Sequence, residues 1–225
     1  MTYAMADLHG EFDRYQAMLE RIQFSPEDTL YILGDVVDRG GIGGIDILRD
    51  VMARPNVAML LGNHENMCLK AIDHPDDQRA VNHWLPNGGQ ATYDALCRLE
   101  EGERERVLDF LRGLPDQRTV EAGGRRFYLV HAFPGETQKE RIWARPGPQA
   151  VTPFGDGTIV VAGHTPVCEF WGSDEETIQK YLLGREQVSI FQGPGYFNID
   201  CACGYQLPQR RLACLALETL EAYYT

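Results

Sequence analysis

Six residues of types that bind metal ions stand at the ends of five short apolar runs. Asp7 and His9 follow Tyr3–Ala6, Asp35 follows Thr29–Leu33, and Asn63 follows Val57–Leu61. His131 follows Phe127–Val130, and His164 follows Thr158–Ala162. Carboxylate, amide and imidazole donors without a thiolate suit manganese first, with iron or zinc as alternatives, rather than calcium. Asp7 and His9 would hold one divalent ion from two sides. Asp35 would bridge both ions through its two oxygens, and Asn63, His131 and His164 would complete the second ion's ligand set. Two ions about 3.5–4 Å apart clamp the attacking and leaving oxygens of an in-line displacement and acidify a bridging water to hydroxide. Such a site hydrolyses phosphate esters.

Three further residues extend that chemistry. His64 directly follows Asn63 and so points into the same pocket, where an imidazole can act as general acid toward the leaving alkoxide. Asp38 stands three residues beyond Asp35 and can orient that imidazole and raise its basicity. Arg39 offers a planar fork for phosphate oxygens.

The elements that must position these groups follow from the pattern between them. Short continuous apolar runs bounded by glycine predict buried strands, and open α/β sheets present ligands at the carboxyl ends of their strands. Phe12, Tyr15, Leu19 and Ile22 recur at helical spacing, and a second helix is expected over 45–52, ended by Arg54-Pro55. Asp7, Asp35 and Asn63 are each 28 positions apart (35 − 7 and 63 − 35), about one strand–helix step, which implies a parallel sheet with right-handed crossovers. Helices are predicted over 65–72, 90–98 and 103–112. Strands are predicted over 126–130, 158–162, 188–191, 196–200 and 212–217. Residues 1–225 read as a single domain of two sheets packed face to face with helices outside.

Composition narrows the remaining choices. With 44% hydrophobic residues the chain can bury a large core without help from metal or disulfide. A net charge of −12 disfavours nucleic acid and anionic membrane as partners. The apolar runs are too short for a membrane span and the first strand starts almost at once, so a cytoplasmic location is expected. Six irregularly spaced cysteines, Cys201 and Cys203 included, read as buried reduced thiols. His74 is expected in an exposed turn, and His83 as a packing residue beside Trp84. Glu65 reads as a helix-start residue favoured by the helix dipole. Lys70 and Arg79 suit either the groove or a solvated helix face.

Asp7-Leu-His9-Gly10, Gly34-Asp-Val-Val-Asp-Arg-Gly40, Gly62-Asn-His-Glu65, His131 and Gly163-His-Thr165 together resemble the phosphoprotein phosphatase family within the calcineurin-like metallophosphoesterases, in its small bacterial and bacteriophage lambda branch. The resemblance implies a four-layer αββα sandwich of two mixed sheets with helices outside, and two divalent ions. It also implies a second phosphate-binding arginine at Arg145, in Ile142-Trp-Ala-Arg145, and a substrate-side role for Asn87 in Asn87-Gly-Gly89. The expected activity is hydrolysis of phosphoserine and phosphothreonine in a phosphoprotein, or of a small phosphoester. Hydrolysis of dinucleoside polyphosphates such as diadenosine tetraphosphate is the alternative. Glu65, where that branch typically has aspartate, leans toward the protein phosphatase. Ala6 departs from the family's usual glycine, Ala132-Phe133 lacks a glycine-rich continuation, and no regulatory subunit is implied.

Overall fold

The computed structural model describes residues 1–170 and 186–225. Its first sheet runs in the order β10 (Glu221–Tyr224), β9 (Ala213–Ala216), β1 (Thr2–Met5), β2 (Thr29–Ile32), β3 (Val57–Met59). Its second runs in the order β4 (Gln117–Ala122), β5 (Arg125–Val130), β6 (Ile159–Ala162), β8 (Tyr196–Asn198), β7 (Phe191–Gly193). Strands β1, β2 and β3 are parallel, joined by helices α1 (Phe12–Arg21) and α2 (Gly43–Ala53). β9 and β10 add antiparallel strands at the β1 edge. In the second sheet β5, β6 and β8 are parallel, flanked by antiparallel β4 and β7. Both sheets are therefore mixed.

Period-two alternation in the strands decides which core each residue joins. Tyr3 and Met5 face the helices, alongside Leu30, Ile32 and Met59, and meet Tyr15, Met18, Ile47 and Leu108. Ala4 and Ala6 face the other way, with Leu33 and Leu60, and pack against Phe127, Leu129, Val161 and Phe197 of the second sheet. The helix side also takes residues from α3 (Asn63–Asp73), α4 (Gln78–Trp84), α5 (Gly89–Arg98) and α6 (Glu101–Arg112). Among the described residues, loop aromatics such as Phe133, Phe154 and Phe170 cover the outer face of the second sheet.

Helix 2 stops where proline demands it: Arg54, before Pro55, is extended at φ −103°, ψ 115°. Among the described residues six elements were not anticipated: α4, β4, β10, α7 (Gln138–Trp143) and two short 3₁₀ helices at Leu85–Asn87 and Val167–Glu169. The strand expected over 188–191 begins only at Phe191, because Val188 through Ile190 bond to Gln209 and Tyr224 instead of a neighbouring strand. All six cysteines are free, and only Cys97 is exposed.

Parallel register explains the ligand spacing. Met5 pairs with Ile32, and Ile32 with Met59, an offset of 27 each (32 − 5 and 59 − 32). The ligand spacing of 28 therefore moves each successive ligand one residue further beyond its strand. The second sheet repeats the step: Leu129 pairs with Val161, an offset of 32, whereas His131 and His164 are 33 apart.

Candidate metal centre

Every strand-end residue expected in the cluster is buried, and the two sheets bring them together. A narrow cavity is lined by Asp7, His9, Asp35, Asn63 and His164, together with His64, Arg39 and Arg145. Two groups of donor atoms lie close enough to share an ion: His9, Asp35 and His64, and Asp35, His131 and His164. Asp35 belongs to both, which is what a bridging carboxylate requires. His131 Nε2 is 3.4 Å from Asp35 Oδ1 and 2.9 Å from Asn63 Oδ1, while His9 Nε2 is 3.7 Å from Asp35 Oδ2. Atoms about 2.1 Å from a common ion stand roughly 3–3.5 Å apart, so these separations fit a shared shell.

The orientation of the imidazoles supports the same fit. His131 Nδ1–H donates to Leu33 O at 2.7 Å and His9 Nδ1–H to Val37 O at 3.0 Å, which turns each Nε2 into the cavity. His164 Nε2 is buried with no hydrogen-bond partner among the described residues. A buried nitrogen lone pair without a donor costs free energy unless a cation takes it. Without an ion the charges strain against each other. Burial opposes ionisation of Asp35, but His131, His64 and His9 outweigh it and hold the carboxyl well below its usual range. Burial also opposes protonation of His131, yet Asp35 lifts it to about 10. Burial and then His131 drive His164 down to about 3. Divalent ions would replace these shared protons.

The backbone at these positions is unusual. Asp7, His9, Asp35, Asp38, Arg39 and His164 all have left-handed φ, between 45° and 71°. Left-handed non-glycine residues cost of order 1 kcal/mol each and collect at functional sites. Asp7 is fixed by the His164 N–H, which donates to both its oxygens at 3.1 and 2.9 Å. Gly163 permits that approach, since a Cβ there would collide with Asp7 Oδ2. Gly62 is similarly required, because a Cβ would strike Asp35 Oδ1. Ala6 carries its extra methyl toward Gly163 and stays buried in the inter-sheet core.

Glu65 does more than the sequence pattern suggested. Its carboxylate is fully buried and accepts four backbone N–H groups: Asp35 and Gly62 on Oε2, Val36 and Val37 on Oε1, at 2.8–3.2 Å. It thereby clamps the loop carrying Asp35 to the start of α3. Burial, with Asp35 adding, raises its carboxyl while the backbone donors pull the other way.

His64 is tied to Asp38 through Nδ1–H, at 2.6 Å. Asp38 is itself held by Trp84 Nε1–H, 3.1 Å from each oxygen, and by the Thr92 hydroxyl at 2.7 Å. Burial disfavours the charged imidazole, but Asp35 and Asp38 outweigh it and raise the His64 pKa. Arg39 Nη2 lies 3.4 Å from His64 Nε2, and its guanidinium sits 4.6 Å over the Tyr205 ring. Arg145 reaches the cavity while pairing with Glu169 at 3.2 Å. Asn87 lies apart: it is exposed, its Nδ2–H donates to His83 O, and Gly88 O rather than Asn87 meets the Arg39 N–H.

Asp200 and Tyr205 line the cavity and were not singled out from sequence. Asp200 stands three residues past Phe197, which pairs with Val161, so it follows β8 as His164 follows β6. The strand-end pattern that exposed the other ligands applies to it as well. Burial raises its carboxyl to about 7, and burial followed by Asp200 raises Asp7 too. His83 is a packing residue, as expected, and its partner is the Trp143 ring, with centroids 5.6 Å apart.

Two mixed sheets that meet along strand ends bearing aspartate, asparagine and histidine form a candidate two-metal centre. Residues 2–192 match the calcineurin-like phosphoesterase family model, and the chain belongs to that family. Serine/threonine-protein phosphatase 2 of Escherichia coli K12 is 31% identical over 138 residues, 59% of this chain and 59% of that protein. The symmetrical bis(5'-nucleosyl)-tetraphosphatase of Acidovorax ebreus TPSY is 34% identical over 143 residues, 62% of this chain and 47% of that protein. The matches thus span about half to three-fifths of these curated relatives. A metallophosphoesterase structure from Sphaerobacter thermophilus shares the fold at TM-score 0.57 and 17% identity, covering 99% of this chain and 86% of that one. Among the described residues no helix is long and apolar enough to cross a membrane.

Proposed function

We propose that this phosphoesterase cleaves phosphomonoesters with poor leaving groups, namely phosphoserine and phosphothreonine in proteins. The His64–Asp38 pair carries the proposal. An alkoxide leaving group must be protonated as its P–O bond breaks, whereas a nucleoside diphosphate leaves readily without an acid. Asp38, locked by Trp84 and Thr92, fixes the tautomer in which Nδ1 bears the proton and Nε2 faces the cavity. When protonated at Nε2, that imidazole delivers the proton to the departing seryl or threonyl oxygen.

Arg39 and Arg145 bind the phosphoryl oxygens and hold phosphorus in line with His64 Nε2. Asp7, His9 and Asp35 would hold one divalent ion and Asp35, Asn63, His131 and His164 the other, with manganese the proposed metal. The ions, when bound, supply a nucleophilic water and positive charge for the transferring group. Arg39 Nη2, 3.4 Å from His64 Nε2, supports a phosphate bound beside that nitrogen, where His64 can act as the acid. The cytoplasm is the proposed compartment.

His64→Asn tests this reading. Turnover of a phosphoserine peptide should fall about 10²–10⁴-fold, while 4-nitrophenyl phosphate, whose leaving group needs no proton, falls less than about tenfold. Equal losses on both substrates refute the acid role. Cleavage of dinucleoside polyphosphates is the second reading, favoured by the Acidovorax ebreus relative. Turnover of diadenosine tetraphosphate exceeding that of phosphoserine peptides would establish it instead.

A further inference from the structure

A second cavity, of about 260 Å³, adjoins the metal centre and is assigned no part in the chemistry above. Its walls come from α3, α4 and α7, and include Asn66, Met67, Lys70, His83, Lys139 and Trp143. Two links connect it to the site. The Trp143 ring meets the His164 ring edge-on at 6.1 Å, and Asn66 lies one turn along α3 from Asn63, its N–H donating to Gly62 O at 3.1 Å.

Its charge runs against the rest of the molecule. The chain bears a net charge of −12 and contains three lysines, Lys70, Lys139 and Lys180. Two of the three line this one cavity from different helices. Among the described residues neither forms an ion pair, whereas Arg49, Arg54, Arg112, Arg126 and Arg141 are each engaged by a carboxylate. The stacked His83 and Trp143 rings give the cavity an aromatic wall, and Trp143 touches the metal centre through His164. A cationic rim over an apolar wall, set beside the scissile phosphate in an acidic protein, complements a negatively charged side chain linked to the phosphoresidue.

We propose that this cavity is a substrate subsite that takes an acidic side chain of a peptide flanking the phosphoserine or phosphothreonine, with Lys70 and Lys139 as the specificity-determining residues. The inference rests on the protein-phosphatase reading. It makes the enzyme selective for acidic phosphopeptides despite its own negative charge.

The test uses phosphoserine peptides of equal length, with glutamate or with glutamine at the positions flanking the phosphoserine. For the wild-type protein loaded with manganese at low salt, kcat/KM should favour the glutamate peptides by about tenfold, chiefly through KM. The Lys70→Gln/Lys139→Gln variant should lose that preference, and His83→Ala should raise KM for both series. Equal kcat/KM for the two series in wild-type protein, or a preference that survives the double lysine change, overturns the subsite alone. If wild-type protein turns over 4-nitrophenyl phosphate but no peptide, the protein-phosphatase reading falls and the subsite with it. A double variant that loses turnover of diadenosine tetraphosphate instead makes the occupant a nucleotide and overturns the peptide assignment.

Discussion

Replacing Glu65 by glutamine removes one acceptor oxygen while keeping shape and volume. Glu65 takes two backbone N–H groups on each carboxylate oxygen. The amide can satisfy one pair and must turn its own NH₂ group against the other. Two buried donors left without partners cost about 1–3 kcal/mol each, so the variant should lose roughly 2–6 kcal/mol. That is a large share of the roughly 5–15 kcal/mol that holds a domain folded. The damage reaches function as well, because Asp35, held at φ 55° by these bonds, would relax away from its shared position between His9 and His131. Urea unfolding followed by tryptophan fluorescence measures the stability term. Turnover of 4-nitrophenyl phosphate, at a temperature where both proteins are folded, measures the positional term, expected as a loss of tenfold or more. A Glu65→Gln protein within about 0.5 kcal/mol of wild type and with unchanged kcat would show that the clamp is dispensable.

Two further perturbations separate charge from packing. Asp200 has a folded pKa of about 7 against an ordinary 3.8. An acid raised in this way costs stability that is absent at low pH, grows above the unfolded value and is complete above the folded one. Metal-free Asp200→Asn should therefore gain on wild type by roughly 1–3 kcal/mol more at pH 8 than at pH 5, and the same gain at both pH values in thermal melts would exclude this cause. Tyr205→Leu removes the ring under Arg39, a contact worth about 0.5–1 kcal/mol at an exposed site. KM should rise two- to fivefold with kcat nearly constant, and an unchanged KM would show that the ring does not position the guanidinium.

Much of the centre was legible because its logic is local. An apolar run followed by a donor identifies a strand end, and parallel register stacks strand ends at one edge, so Asp7, Asp35, Asn63, His131 and His164 could be found without coordinates. Asp200 obeys the same logic, but the strand expected over 196–200 includes it, whereas β8 ends two residues earlier at Asn198. What stayed hidden depends on side chains that meet across the chain. Nothing near Glu65 in sequence shows that its carboxylate meets Val36 and Val37, and nothing near Asp38 points to Trp84 or Thr92. Strands β4 and β10 escaped notice because they are exposed edges with little apolar alternation, Gln117-Arg-Thr-Val-Glu-Ala122 being the clearer case. Helix α7 was marked by a capping box, with Thr137 bonded to the Glu140 N–H and Glu140 to the Thr137 N–H, a signal that a search for apolar periodicity passes over.

The donor set is split between the two sheets: Asp7, His9, Asp35 and Asn63 come from the first, His131 and His164 from the second. The first sheet alone supplies Asp7, His9 and Asp35, but the second ion's ligands come from both sheets, and the inter-sheet core joins them mainly through small and aliphatic side chains such as Ala4, Ala6, Leu33 and Val161. The second ion would thus act as a rivet across that seam, and its loading would report that both halves have docked. A chain caught with one half misfolded would hold that ion weakly and could not be active, so correct assembly is itself the switch that licenses catalysis.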